Sequence, residues 1–185
     1  MRRVYYYQEF VGLDAICKVP HAATHIIVSS IHFNDGPDGH STIHLKDYPI
    51  DSSKFEPLWL DIKKAQSFGI EVGLMVGGAG GAYTYMASHF NECYNLLASA
   101  LRRYNLTGVD IDIEEPFSLD LTRRLIRQLR IDFPKLNISM APLLGSLTTD
   151  QPGMGGFIYK DLMKSFEGSM ISWFNVQSYA SYTFD

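Results

Sequence analysis

Residues 107–115 read Thr107-Gly108-Val109-Asp110-Ile111-Asp112-Ile113-Glu114-Glu115, an apolar strand pattern that carries three acids at strict two-residue spacing. Side chains alternate faces along a β-strand. Val109, Ile111 and Ile113 are therefore expected on one face and Asp110, Asp112 and Glu114 on the other, same-face neighbours lying about 6.6 Å apart. By the same alternation Glu115 points away from the acids, and no catalytic role is expected of it. Gly108 suits a close approach at the start of the strand. Pro116 and Ser118 end it, and Ser118 with Asp120 caps a helix predicted over Leu119–Phe133. Ionised carboxylates on a buried face are costly unless they are paired or used. Stacked acids also raise one another's pKa, which a proton donor working near neutral pH requires.

A wet edge strand would carry the same alternation. The surrounding pattern argues against it, because strands alternating with helices imply a parallel sheet covered on both faces. Strands are predicted near Arg3–Gln8, His25–Ile31, Ile70–Val76, Leu136–Ala141 and Ile171–Gln177, besides the acidic one. Helices are predicted near Lys54–Phe68, Tyr85–Tyr104, Leu119–Phe133 and Phe157–Phe166, and a polar loop over Asn34–His44. The strand–helix repeats are about 30–35 residues long, the size of one βα unit. A closed eight-stranded barrel takes about 250 residues. The chain therefore reads as an α/β protein, a parallel (β/α) TIM-type barrel lacking its last two βα units. Residues 1–185 are expected to form a single barrel catalytic domain, C-terminally incomplete. Its first and sixth strands would then offer unpaired edges for self-association.

Composition sets few further bounds. A hydrophobic content of 46% and a charged content of 19% suit a globular protein of 185 residues with a sizeable core. The net charge of −4 gives no sign of nucleic-acid or anionic-membrane partners. No apolar run approaches the ~20 residues of a membrane span. The start, Met1 to Tyr7, enters a strand-like run without the features of a signal peptide, so the chain is read as cytoplasmic or as having lost a processed leader. Cys17 and Cys93 are expected as free structural thiols. The histidines have no metal-ligand spacing with the acids; His40 and His44 are read as solvated loop residues, and neither metal nor cofactor is expected. Gly77-Gly78-Ala79-Gly80-Gly81 follows a strand and opens a helix, but it matches neither a dinucleotide fingerprint nor a P-loop. Its glycines are expected to let the backbone pass close to something at the barrel's C-terminal mouth.

With these residues in view, the chain resembles the family 18 glycoside hydrolases, which include chitinases and endo-β-N-acetylglucosaminidases. The family's fourth-strand signature, Asp-Gly-x-Asp-x-Asp-x-Glu, is met by Thr107 to Glu114, with Thr107 in place of the first Asp. Its third-strand Ser-x-Gly-Gly is met by Met75-Val76-Gly77-Gly78, its fifth-strand Met-Ala-Pro by Met140-Ala141-Pro142, and its sixth-strand Gln-x-Tyr by Gln177-Ser178-Tyr179. Tyr5 to Gln8 is similar to the aromatic-rich first strand. The resemblance implies a substrate-assisted retaining mechanism without a cofactor. Glu114 would be the acid and base, Asp112 would stabilise the cationic intermediate, Asp110 would share a proton with Asp112, and Tyr179 would position the substrate's acetamido group. Gln177, Met140, Gly77 and Gly78 would line the substrate site, with Tyr7, Phe33 and Tyr83 as candidate sugar-stacking rings. Trp59 and Trp173 are read as packing residues. The implied partner is an N-acetylglucosamine-containing oligo- or polysaccharide of the chitin type. An endo-β-N-acetylglucosaminidase acting on N-glycans and a non-catalytic chitooligosaccharide-binding protein are the alternatives. Met75 in place of the family's Ser is expected to take a hydrogen-bond donor from Asp110.

Overall fold

The computed structural model describes residues 1–19 and 21–178. Its frame is a parallel sheet of β1 (Val4–Tyr7), β2 (His25–Asp35), β5 (Glu71–Gly77), β6 (Gly108–Asp112), β7 (Asn137–Met140) and β8 (Trp173–Phe174), paired in that order. Among the described residues no strand joins β8 to β1.

Register turns the period of two into layers. Met75 pairs with Asp110, Asp110 with Ser139, and Ser139 with Trp173, so these side chains share one face. One residue on, Val76, Ile111, Met140 and Phe174 form the matching layer on the other face. That second face is apolar because helices cover it. α2 (Glu56–Ser67) buries Leu58, Ile62 and Ala65; α4 (Phe90–Arg103) buries Leu97 and Leu101; α5 (Leu119–Asp132) buries Leu125, Ile126 and Leu129. Burying each such side chain stabilises by about 1.5–3 kcal/mol. The Ser118 hydroxyl accepts the Leu121 N–H at 3.2 Å, the cap expected of it.

Several elements depart from the sequence reading. The stretch Asn34–His44, expected as a loop, is largely a hairpin. β2 runs on to Asp35 and pairs antiparallel with β3 (Ser41–Leu45), which pairs with β4 (Tyr48–Pro49). Gly36 and Gly39 confine the turn to its centre, and Ile43 and Leu45 point into the core, so period two outweighs the polar composition. His44 accordingly lies on a strand, while His40 stays in the turn. The helix expected over Tyr85–Tyr104 is two, α3 (Ala82–Ser88) and α4, because His89 takes a non-helical φ of −125°. The helix expected over Phe157–Phe166 is shorter, α7 (Tyr159–Lys164). α1 (Asp14–Lys18) and α6 (Leu144–Thr148) were not anticipated. The last strand is also shorter than expected. Past Phe174, among the described residues, pairing continues through Asn175 N–H to the Met140 carbonyl and a bridge between Leu143 and Gln177. Cys17 and Cys93 are free and buried, and no described helix is long and apolar enough to cross a membrane.

Candidate functional site

Asp110 lies at the middle of β6, only 1% exposed. A carboxylate there requires donors, and three elements supply them. The Tyr6 hydroxyl donates to Oδ2 at 2.6 Å, the Ser139 hydroxyl to Oδ1 at 2.5 Å, and the Asn175 amide to Oδ1 at 3.0 Å. Burial raises the Asp110 carboxyl above its ordinary range, and the Ser139, Tyr6 and Asn175 hydrogen bonds oppose it. In turn, burial and then the charge of Asp110 raise the Tyr6 phenol, which stays a donor. Met75 faces Asp110 across the β5–β6 register. The shortage of donors expected from Met75 does not arise, because Ser139 and Asn175 reach the same carboxylate from the other side.

Asp112, two residues along the same face, meets different surroundings. Burial, then the charges of Glu114 and Asp110, push its pKa up to about 7, opposed by a hydrogen bond from Gln177. The Gln177 amide donates to Asp112 Oδ1 at 2.9 Å, to Glu114 Oε1 at 3.1 Å and to the Ala141 carbonyl at 2.9 Å. One nitrogen thus ties the strand's last acid to the acid beyond its end. A cleft along this face is lined by Tyr6, Gln8, Met75, Asp112, Ala141 and Gln177.

Glu114 and Glu115 lie past the end of β6, against the glycine-rich turn. The turn is drawn onto the acidic segment by Gly78 N–H to the Asp112 carbonyl at 3.0 Å. Ala79 N–H donates to Glu114 Oε2 at 3.0 Å. Glu115 receives the N–H groups of Gly80 at 2.8 Å, of Gly81, and of Tyr83 and Thr84 at 3.2 Å each. Burial alone would raise the Glu115 carboxyl; the N–H groups of Gly81, Thr84 and Gly80 outweigh it and hold it below its ordinary value. The amides of the glycine-rich turn therefore serve the protein's own carboxylates, in keeping with a turn that matches no phosphate-binding fingerprint. Gly77 permits this approach. Its φ is +100°, and a Cβ there would come within 2.3 Å of both the Asp112 carbonyl oxygen and the Tyr83 ring.

Asp110, Asp112, Glu114 and Gln177 thus come together on one face as the sequence suggests, with the Gly77–Gly78 backbone beside them. Tyr179 lies outside the described residues. Four other candidates are corrected. Tyr7, Phe33 and Tyr83 are at most 1% exposed, which leaves no ring face for a sugar. Tyr7 packs on Phe10 and its hydroxyl accepts Gly12 N–H, while the Tyr83 hydroxyl donates to the Val76 carbonyl. Met140 is fully buried on the helix-covered face, one residue out of phase with the acids' layer. Trp59 stacks on Tyr104 with centroids 3.6 Å apart, and Trp173 packs edge-on against His25; both are packing residues.

Tyr6, Ser139, Asn175 and Glu115 were not anticipated. For the first three a signal existed. Asn175 precedes Gln177 by two, Ser139 shares the Ala141 face, and Tyr6 takes the opposite parity to Tyr7. Among the described residues no group of His, Cys, Asp and Glu is arranged to hold a metal ion.

A family model described as Glycosyl hydrolases family 18 matches residues 2–184. Among solved structures, the chitinase ChiC from Aspergillus fumigatus is 33% identical with a TM-score of 0.85, over 96% of this chain and 66% of that one. A fungal endo-β-N-acetylglucosaminidase of glycosyl hydrolase family 18 is 32% identical with a TM-score of 0.84, over the same shares of the two chains. A family 18 chitinase from Pseudoalteromonas aurantia, 23% identical with a TM-score of 0.74 over 96% of this chain and 67% of that one, shares the fold. These likenesses make the parallel sheet part of a TIM-type barrel. The chain spans 66% of the length of the first two structures. Among curated proteins none matches.

Proposed function

The chain belongs to the glycosyl hydrolases of family 18, and on that premise we propose that it is a retaining glycosidase that cleaves β-1,4-linked N-acetylglucosamine by substrate-assisted catalysis. The observation that carries this reading is the Gln177 amide donating to both Asp112 and Glu114. It sets a carboxyl with a pKa of about 7, which lines the cleft, beside the half-buried acid just past the end of the strand.

The chemistry follows from these positions. Glu114 gives its proton to the glycosidic oxygen as the bond from that oxygen to the anomeric carbon breaks. The substrate's acetamido oxygen attacks the anomeric carbon and forms an oxazolinium ion, so no second protein nucleophile is needed. Asp112, in its ionised form, accepts the acetamido N–H, and its negative charge stabilises the cation as it forms. Burial makes that charge costly in the free protein, and the oxazolinium offsets the cost. Asp110, fixed by Tyr6, Ser139 and Asn175, sets the field in which Asp112 titrates. Tyr179 would donate its hydroxyl to the acetamido carbonyl. Glu114 then takes a proton from water as the water attacks the anomeric carbon, and the configuration is retained.

A chitin-type polymer is the first reading of the substrate. Cleavage of the N-glycan core is the second, favoured by 32% identity to an endo-β-N-acetylglucosaminidase. Hydrolysis of N-acetylchitooligosaccharides and of a chitobiose-core glycopeptide, each with the wild-type chain and Glu114→Gln, tests the reading. Turnover that needs both the N-acetyl group and Glu114 is expected. Equal turnover of unacetylated glucosides would contradict it, and sugar binding without turnover in either protein would make this a binding protein.

A further inference from the structure

We infer that Glu115 is a positioning residue for the acid Glu114, acting through the turn Gly77–Gly81; this rests on the role proposed for Glu114. The two carboxylates are neighbours in sequence but are held by different parts of one turn. Glu115 gathers the N–H groups of Gly80, Gly81, Tyr83 and Thr84, and so fixes where that stretch of backbone lies. The preceding N–H, of Ala79, is the one that meets Glu114 Oε2. One residue earlier, Gly78 N–H is fixed to the Asp112 carbonyl. The turn is thus laced to residues 112–115 at three successive points, and the point at Glu114 lies between the other two.

The turn also packs against His32: a Cβ on Gly80 would come within 2.6 Å of His32 Nε2, so a residue with a side chain there would displace the imidazole or the turn. Glu115 therefore draws the turn onto residues 112–115 and holds the Ala79 N–H beside Glu114. A carboxylate oriented by a backbone amide can hold its second oxygen toward the cleft, where the Gln177 amide already meets Oε1. Displacements of about 1 Å at such a group cost as much as 100-fold in rate.

Capping of α3 alone would also use these contacts, and the leaving group separates the two roles. A sugar alkoxide must be protonated as it departs, whereas 2,4-dinitrophenolate departs without help from an acid. The test compares wild type, Glu115→Ala and Glu115→Gln on an N-acetylchitooligosaccharide and on a 2,4-dinitrophenyl N-acetylchitobioside. Glu115→Ala is expected to lower kcat on the oligosaccharide about 10- to 100-fold, with KM and the dinitrophenyl rate within about threefold of wild type. Glu115→Gln, which keeps one carbonyl acceptor, should fall between. Glu114→Gln should show the same leaving-group pattern with a larger amplitude. The dinitrophenyl activity also reports that each variant is folded. Equal losses on both substrates, or none on the oligosaccharide, would overturn the positioning role while Glu114 kept its own. A wild-type chain inert to both substrates would overturn the role of Glu114 and this inference together.

Discussion

Two carboxylate pairs stand on one strand and its extension, and they are held in opposite ways. Asp110 and Asp112 lie within β6 and take their hydrogen bonds from side chains of β1, β7 and the segment after β8. Glu114 and Glu115 lie beyond the strand and take most of theirs from backbone N–H groups of a single turn. The first arrangement leaves both carboxyls raised by burial; the second holds Glu115 below its ordinary value. Side-chain donors within a sheet come with desolvation, while backbone donors at a strand end come with access to water. A site needing one group that takes up charge reluctantly and one that exchanges protons with substrate is served by having both.

The largest effect on this contrast is expected from Asp112→Asn. Loss of the charge that faces the oxazolinium should lower kcat about 10²- to 10³-fold, measured on an N-acetylchitooligosaccharide. The same change should stabilise the fold. Between the ordinary value of 3.8 and about 7, native Asp112 holds a proton that the unfolded chain has lost, so wild type loses stability as pH rises through that window. The variant has no such loss. Its advantage in denaturant titration should be small at pH 4 and grow to about 4 kcal/mol at most above pH 7.

Ser139→Ala and Tyr6→Phe act on the donors instead. Each leaves a buried carboxyl short of one hydrogen bond and should cost about 1.5–3 kcal/mol by denaturant titration at pH 8. Outside the sheet the cost should be milder. Glu115→Gln should lower stability by no more than about 1 kcal/mol, given its partial exposure. Because the folded pKa of Glu115 is depressed, its contribution is present above the ordinary carboxylate value and is lost as pH falls. The gap between wild type and variant in thermal melts should therefore close on acidification. The smallest effect is expected from Met75→Ser. Asp110 already has three donors for its roughly four lone-pair sites, so kcat should stay within about threefold and the pH profile should hold its shape.

The same contrast explains what could be read from the sequence. The parallel α/β order and the acids' shared face follow from period two, because register carries alternation across β5, β6 and β7 unchanged. Tyr7 and Met140 were misassigned where a motif was read without its parity: each lies one residue from the side chain or backbone that does reach the acids' face. Tyr6, Ser139 and Asn175 were legible by counting in twos from Gln8, Ala141 and Gln177, but their convergence on Asp110 depends on strands far apart in the chain. Glu115 had no such signal. Its partners are backbone N–H groups, whose trace in the sequence is a run of glycines that several functions share. The hairpin of β2 and β3 was hidden by polar residues whose alternation is clear only once Ile43 and Leu45 are seen to be buried.

Early-time proton NMR of N-acetylchitooligosaccharide hydrolysis tests the substrate-assisted route most directly. Attack by the acetamido oxygen on the face opposite the leaving group, followed by water on the face the leaving group vacated, inverts the anomeric carbon twice, so the newly formed reducing end is predicted to appear first as the β-anomer and to mutarotate afterwards. A new reducing end that appears first as the α-anomer would mean direct attack by water and would contradict the roles given to Asp112 and Glu114.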